Sequence, residues 1–97
     1  MSDYVVTLVT VPDTETAEKI SRTIVEEHLA ACVNVIPGLK SYFFWEGKLE
    51  VANELLLVIK TTSAKFEEMK NKIKELHPYS VCEIIALPLS LIHISEP

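Results

Sequence analysis

Two thiols, an imidazole and a carboxylate are the side chains of this sequence best suited to holding a metal ion: Cys32, Cys82, His77 and Glu83. Thiolate and imidazole ligands suit copper, and imidazole and carboxylate suit zinc and other divalent cations. Copper or another divalent metal ion is therefore the cofactor that this donor set implies. No HxH, HExxH or paired CxxC spacing occurs, so a site would have to be assembled from distant elements or across subunits. Each residue also has a plainer reading. Cys32 and Cys82 suit buried, reduced positions in strands. His77 precedes Pro78 at a helix end, where an imidazole can bond the last carbonyls, and His28 invites the same explanation.

Trp45, Lys60 and Tyr79, with His77 and Glu83, form a second candidate set at the ends of elements. Lys60 could supply charge and Tyr79 a hydroxyl to an anion or an amphipathic ligand. The alternative is an interface network, with Trp45 and Tyr79 as packing anchors and Lys60–Glu83 as a salt bridge. Catalysis is not expected. The chain has no GxSxG, Walker or Rossmann pattern, and no third group is evident that would activate a Cys–His pair.

The elements that must position these groups follow from hydrophobic spacing. Tyr4 to Val11 is rich in β-branched residues and reads as a strand stopped by Pro12. Asp13 or Thr14 can cap a helix running to about His28, with Ala17, Ile20 and Ile24 on one face. Ala31 to Ile36 is a strand, Pro37-Gly38 a bulge or bend, and Ser41 to Trp45 the strand resumed. Glu46-Gly47 fits a tight hairpin turn, and Lys48 to Lys60 is the return strand. Thr61-Thr62-Ser63 supplies a cap for a second helix with Phe66, Met69, Ile73 and Leu76 buried and a Glu68–Lys72 pair outside. A last strand runs from about Ser80 to Leu87. The order is strand, helix, strand, strand, helix, strand. It predicts an α+β, ferredoxin-like βαββαβ fold with a four-stranded antiparallel sheet and both helices on one face.

One domain over residues 1–90 suits a chain of 97 residues, of which 48% are hydrophobic and 24% charged. A net charge of −5 without a clustered basic surface argues against nucleic acid as a partner. No apolar run is long enough to span a membrane, and no secretory signal is evident, so the cytoplasm is the expected compartment. Two helices cover one sheet face only. Leu55 to Ile59 is apolar at successive positions, and the hairpin is long and aromatic. The uncovered face and the hairpin are therefore expected to be buried between identical subunits.

Four segments resemble the CutA family of divalent-ion tolerance proteins. They are Leu29-Ala30-Ala31-Cys32-Val33-Asn34 with Ile36-Pro37-Gly38-Leu39; Tyr42 through Trp45-Glu46-Gly47-Lys48; Leu57-Val58-Ile59-Lys60-Thr61; and Leu76-His77-Pro78-Tyr79 with Glu83 to Pro88. The resemblance implies a homotrimer in which long hairpins pair between subunits, a role in tolerance to divalent metal ions, and copper binding in some members. It also places Trp45, Lys60 and Tyr79 near an inter-subunit cleft. The chain departs from the family pattern at Cys82, where a proline is expected. It departs again over residues 91–97, which contain His93 and are expected to be an atypical, non-native tail. A nucleotide- or anion-binding module resembling the nitrogen-regulator trimers is the competing reading, and a structural scaffold the third.

Overall fold

β-Branched residues dominate β1, Tyr4–Val11, and burial alternates along it: Val5, Thr7, Val9 and Val11 point inward, and the residues between do not. The computed structural model describes residues 3–79 and 83–88. β1 is followed by α1, Thr14–Glu26; β2, Cys32–Trp45; β3, Lys48–Thr62; α2, Ser63–Leu76; and β4, Ile84–Pro88. The sheet order is β2-β3-β1-β4, and every neighbouring pair is antiparallel. The expected architecture is thus present: βαββαβ, with both helices packed on the inward face.

Ala17, Ile20 and Ile24 of α1 and Met69 and Ile73 of α2 close over Val9, Val11, Leu57 and Ile59 to form the core. Phe66 and Leu76, expected to be buried, are only partly so and flank that core.

The helix ends differ in chemistry. Asp13 caps α1: the Thr16 amide donates to its Oδ1 at 2.7 Å. That bond stabilises the carboxylate and holds the Asp13 carboxyl below its ordinary range. A lowered folded value gives stability that is complete above the unfolded value and is lost as pH falls through the folded one. Asp13→Ala is expected to lower the denaturation midpoint at pH 7. The gap from the parent should narrow as pH drops below about 4. Thr62 precedes α2 but makes no side-chain cap bond, contrary to expectation; the Ser63 amide instead donates to the Asp3 carbonyl.

α1 stops at Glu26, two residues short of the expected His28, because His28 turns into the left-handed region with φ 61°. The His28 amide donates to Val25 O and the Leu29 amide to Ile24 O, the double bond pattern of a Schellman motif, with Leu29 and Ile24 both buried. A side chain at this φ costs energy that glycine avoids, so His28→Gly is expected to stabilise the fold by roughly 1 kcal/mol in chemical denaturation.

The β2–β3 ladder loses register between Ile36 and Leu39, where the bulge was expected, and Gly38 has φ 80°. Past that point the two strands leave the sheet. β1 ends opposite Leu55, while the hairpin continues from Leu39–Glu54 out to Trp45–Lys48, roughly 20 Å further. Glu46 (φ 51°) and Gly47 (φ 78°) close it, both with the positive φ that a type I′ turn requires. The projection accounts for a radius of gyration of 14.3 Å, where a sphere-like chain of this length gives about 12.5 Å.

Candidate functional site

The sheet face away from the helices carries Tyr4, Val6, Leu8, Leu56, Val58, Ile36, Ile85 and Leu87. Tyr4, Ile36, Ile85 and Leu87 are exposed, and the other four are half-buried. Leu55 to Ile59 was expected to be buried on both faces. Within one chain only Leu57 and Ile59 are, because they meet the helices, while Leu56 and Val58 face outward with no covering layer among the described residues. The hairpin is barer still. Tyr42 is 66% exposed, Phe44 78% and Trp45 63%, with Leu49 and Val51 exposed opposite them.

Cys32 and Lys60 lie on this outward face as direct partners across the β2–β3 ladder. Cys32 is half-buried, and its Sγ lies 3.8 Å from Asn34 Oδ1. The approach to the thiol is thus flanked by a cation. The adjoining backbone is firmly held: the Ala31 amide donates to Lys60 O, and the buried Thr61 hydroxyl donates to Leu29 O at 2.6 Å.

His77 stands at the opposite end of the sheet. It is the C-cap of α2, and its own amide donates to Ile73 O. The residue is 7% exposed. It does not bond the last helix carbonyls; Nε2 lies 2.9 Å from the Thr10 carbonyl oxygen on β1, and the Tyr79 amide lies 3.2 Å from Nδ1. The Tyr79 ring packs against it with centroids 5.1 Å apart. Glu83, exposed, immediately precedes Ile84, the partner of Val9, and so sits at the level of Thr10.

The structure therefore groups His77, Tyr79 and Glu83 at one end of the sheet and Cys32 with Lys60 at the other. Strand spacing separates the two groups by roughly 15 Å. Trp45 is at the hairpin tip, remote from both. Cys82 lies outside the described residues, as do residues 91–97. Among the described residues no three His, Cys, Asp or Glu side chains cluster as metal ligands. Lys60 and Glu83 form no ion pair, since their strand positions hold them apart. Glu68 and Lys72 do not pair either; Lys72 reaches Glu27 at 3.7 Å and Glu75 at 3.6 Å. A hollow of 280 Å³ lined by His28, Ala31, Thr62 and Lys65 includes none of the expected cleft residues.

Sequence reasoning missed the Thr10 carbonyl as the partner of His77. A main-chain acceptor leaves no trace in residue identity, and only the packing of α2 beside the end of β1 reveals it.

Both the sequence and the fold of this chain match a known group of proteins. Residues 5–94 match the pattern of CutA1 divalent ion tolerance proteins. The chain belongs to this family. The CutA1 relatives include the divalent-cation tolerance protein CutA of Thermus thermophilus, 51% identical over 85 residues, which are 88% of this chain and 82% of the relative. The solved structure of the divalent cation tolerance protein (Cut A1) from that organism superposes with a TM-score of 0.82 at 47% identity, covering 100% of this chain and 87% of the other. The chloroplastic CutA of Arabidopsis thaliana is 44% identical over 86 residues, which are 89% of this chain but 47% of the relative. A protein described as the periplasmic divalent cation tolerance protein CutA from Archaeoglobus fulgidus superposes with a TM-score of 0.81 at 42% identity, covering 91% and 83% of the two chains. The family is one of tolerance proteins, and the relatives include one named as chloroplastic and one as periplasmic. Among the described residues no helix is long and apolar enough to cross a membrane.

Proposed function

We propose that this chain is the subunit of a homotrimer that binds divalent cations, copper among them, and that this binding is its part in cation tolerance. The observation that carries the reading is the hairpin. A two-stranded ribbon is marginal in water by itself, and one lined with Tyr42, Phe44, Trp45, Leu49 and Val51 is prone to associate. Pairing of three such ribbons, each laid against a neighbouring subunit, would cover the aromatic side chains and the outward sheet face together. It would also bring the Trp45 end of one chain toward the Lys60 or Tyr79 end of another, the only way these three groups can share a cleft.

Metal binding follows the same logic. One chain does not gather enough donors among its described residues, so the site is assembled between subunits. Cys32 supplies a thiolate and Glu83 a carboxylate, with Cys82 as a second candidate thiol. His77 could join only by giving up one of its two hydrogen bonds. The nucleotide-binding alternative is weakened by the two-residue turn at Glu46-Gly47, which leaves no long loop to close over a ligand. Calorimetric titration of the full chain with copper and with zinc tests the proposal. Saturable binding that Cys32→Ser weakens by about tenfold or more is the expected result. Silence toward both metals, or binding of ATP in their place, would refute it.

A further inference from the structure

We infer that His77 is a positioning residue. It is held as the neutral Nε2–H tautomer, it fastens the end of α2 to the end of β1, and it sets the presentation of Tyr79 without ligating metal. The tautomer follows from its partners. The Tyr79 main-chain nitrogen can only donate, so Nδ1, 3.2 Å away, must accept. The Thr10 main-chain oxygen can only accept, so Nε2, 2.9 Å away, must carry the proton. Both ring nitrogens are spent, and the ring is almost wholly buried. A metal ligand needs a free lone pair, and this imidazole would have to break one of the two bonds to offer one.

The arrangement joins three parts of the chain. α2 ends at Leu76, and its C-terminal cap stands with extended backbone, φ −78° and ψ 135°, so the chain leaves the helix abruptly. Pro78 cannot donate a main-chain bond. The Tyr79 amide is thus the first donor after the cap, and the His77 ring is what receives it. The same ring reaches back to β1, the central strand to which β4 must then add. One side chain therefore fixes where the helix stops, where the connection to the edge strand starts, and how the half-exposed Tyr79 ring stands, tilted against the imidazole with centroids 5.1 Å apart. This inference does not depend on the metal reading.

Two conservative substitutions separate the two bonds. In His77→Asn the side-chain oxygen can take the place of Nδ1, and in His77→Gln the side-chain amide can take the place of Nε2–H. Nitrogen-15 spectra of the full-length protein should show Nε2 protonated and Nδ1 bare. Amide hydrogen exchange at Tyr79 should accelerate about five- to tenfold in His77→Gln and in His77→Ala and stay near the parent rate in His77→Asn. Zinc affinity should stay within about twofold of the parent in His77→Asn. An Nδ1–H tautomer in the parent would overturn the inference, as would unchanged Tyr79 exchange in His77→Gln. So would a tenfold or greater loss of zinc affinity in a His77→Asn protein whose Tyr79 amide remains protected. A parent that binds no zinc would count against the metal proposal alone, leaving the positioning role to the spectra and the exchange rates.

Discussion

Replacing Phe44 and Leu49 together by lysine is expected to convert the proposed trimer into single folded chains. The two residues are direct partners near the tip of the hairpin, 78% and 61% exposed in the lone subunit, with Tyr42 and Val51 next to them on the same face. Neither touches the core formed by α1, α2 and the inward sheet face, so the subunit itself should fold. Burying a Phe or a Leu contributes about 1.5–3 kcal/mol each. Losing both from each subunit, and placing ammonium groups in an apolar contact, should weaken association by about a thousandfold or more. Sedimentation at micromolar concentration measures the shift, and far-ultraviolet dichroism shows whether the fold survives. An unchanged molar mass in the double variant would mean that the hairpin tip does not contribute to association.

Ile20→Ala is expected to destabilise the fold strongly. Ile20 is fully buried in the middle of the α1 stripe against the sheet, and truncation there leaves a cavity that the close-packed core cannot fill. The cost should be about 2–5 kcal/mol, a large part of a small domain's stability. Leu8→Ala on the opposite sheet face is the informative companion. In a lone subunit Leu8 is only half-buried and should cost about 1 kcal/mol; if the outward face is covered by copies, the cost should approach that of Ile20. Denaturation by guanidinium at one fixed protein concentration compares the two, since the stability of an oligomer depends on concentration. A small Leu8 effect beside a large Ile20 effect would show that the outward face stays wet.

Much of this architecture is legible in residue order because it rests on local rules. The period-two burial of β1, the Ala17–Ile20–Ile24 stripe, the Pro37-Gly38 bulge and the Glu46-Gly47 turn each follow from the chemistry of a few adjacent residues. The uncovered face was legible too, because two helices cannot cover both sides of a sheet. What the sequence hides are choices made by geometry over long separations. Lys72 reaches Glu27, the residue that caps the end of α1, and not Glu68 one turn away, because α1 and α2 lie side by side. Lys60 and Glu83 look complementary in sequence, yet the ladder registers hold them at opposite ends of the sheet. His28 ends α1 by adopting a backbone angle that favours glycine, so no glycine signals the stop. The candidate site suffers most from this. Cys32, His77 and Glu83 are plausible ligands by type, but type says nothing of partners. The structure engages His77 with main-chain atoms, sets Lys60 beside Cys32, and leaves Trp45 out of reach of either group within one subunit.

The claim on which the rest depends is that the bare hairpin and the outward sheet face are covered by copies of the same chain. Light scattering coupled to size exclusion on the unaltered full-length protein, at several micromolar concentrations, tests it most directly. The expected result is a molar mass of three chains that does not change on dilution. A mass of one chain, with the protein folded and soluble, would contradict it.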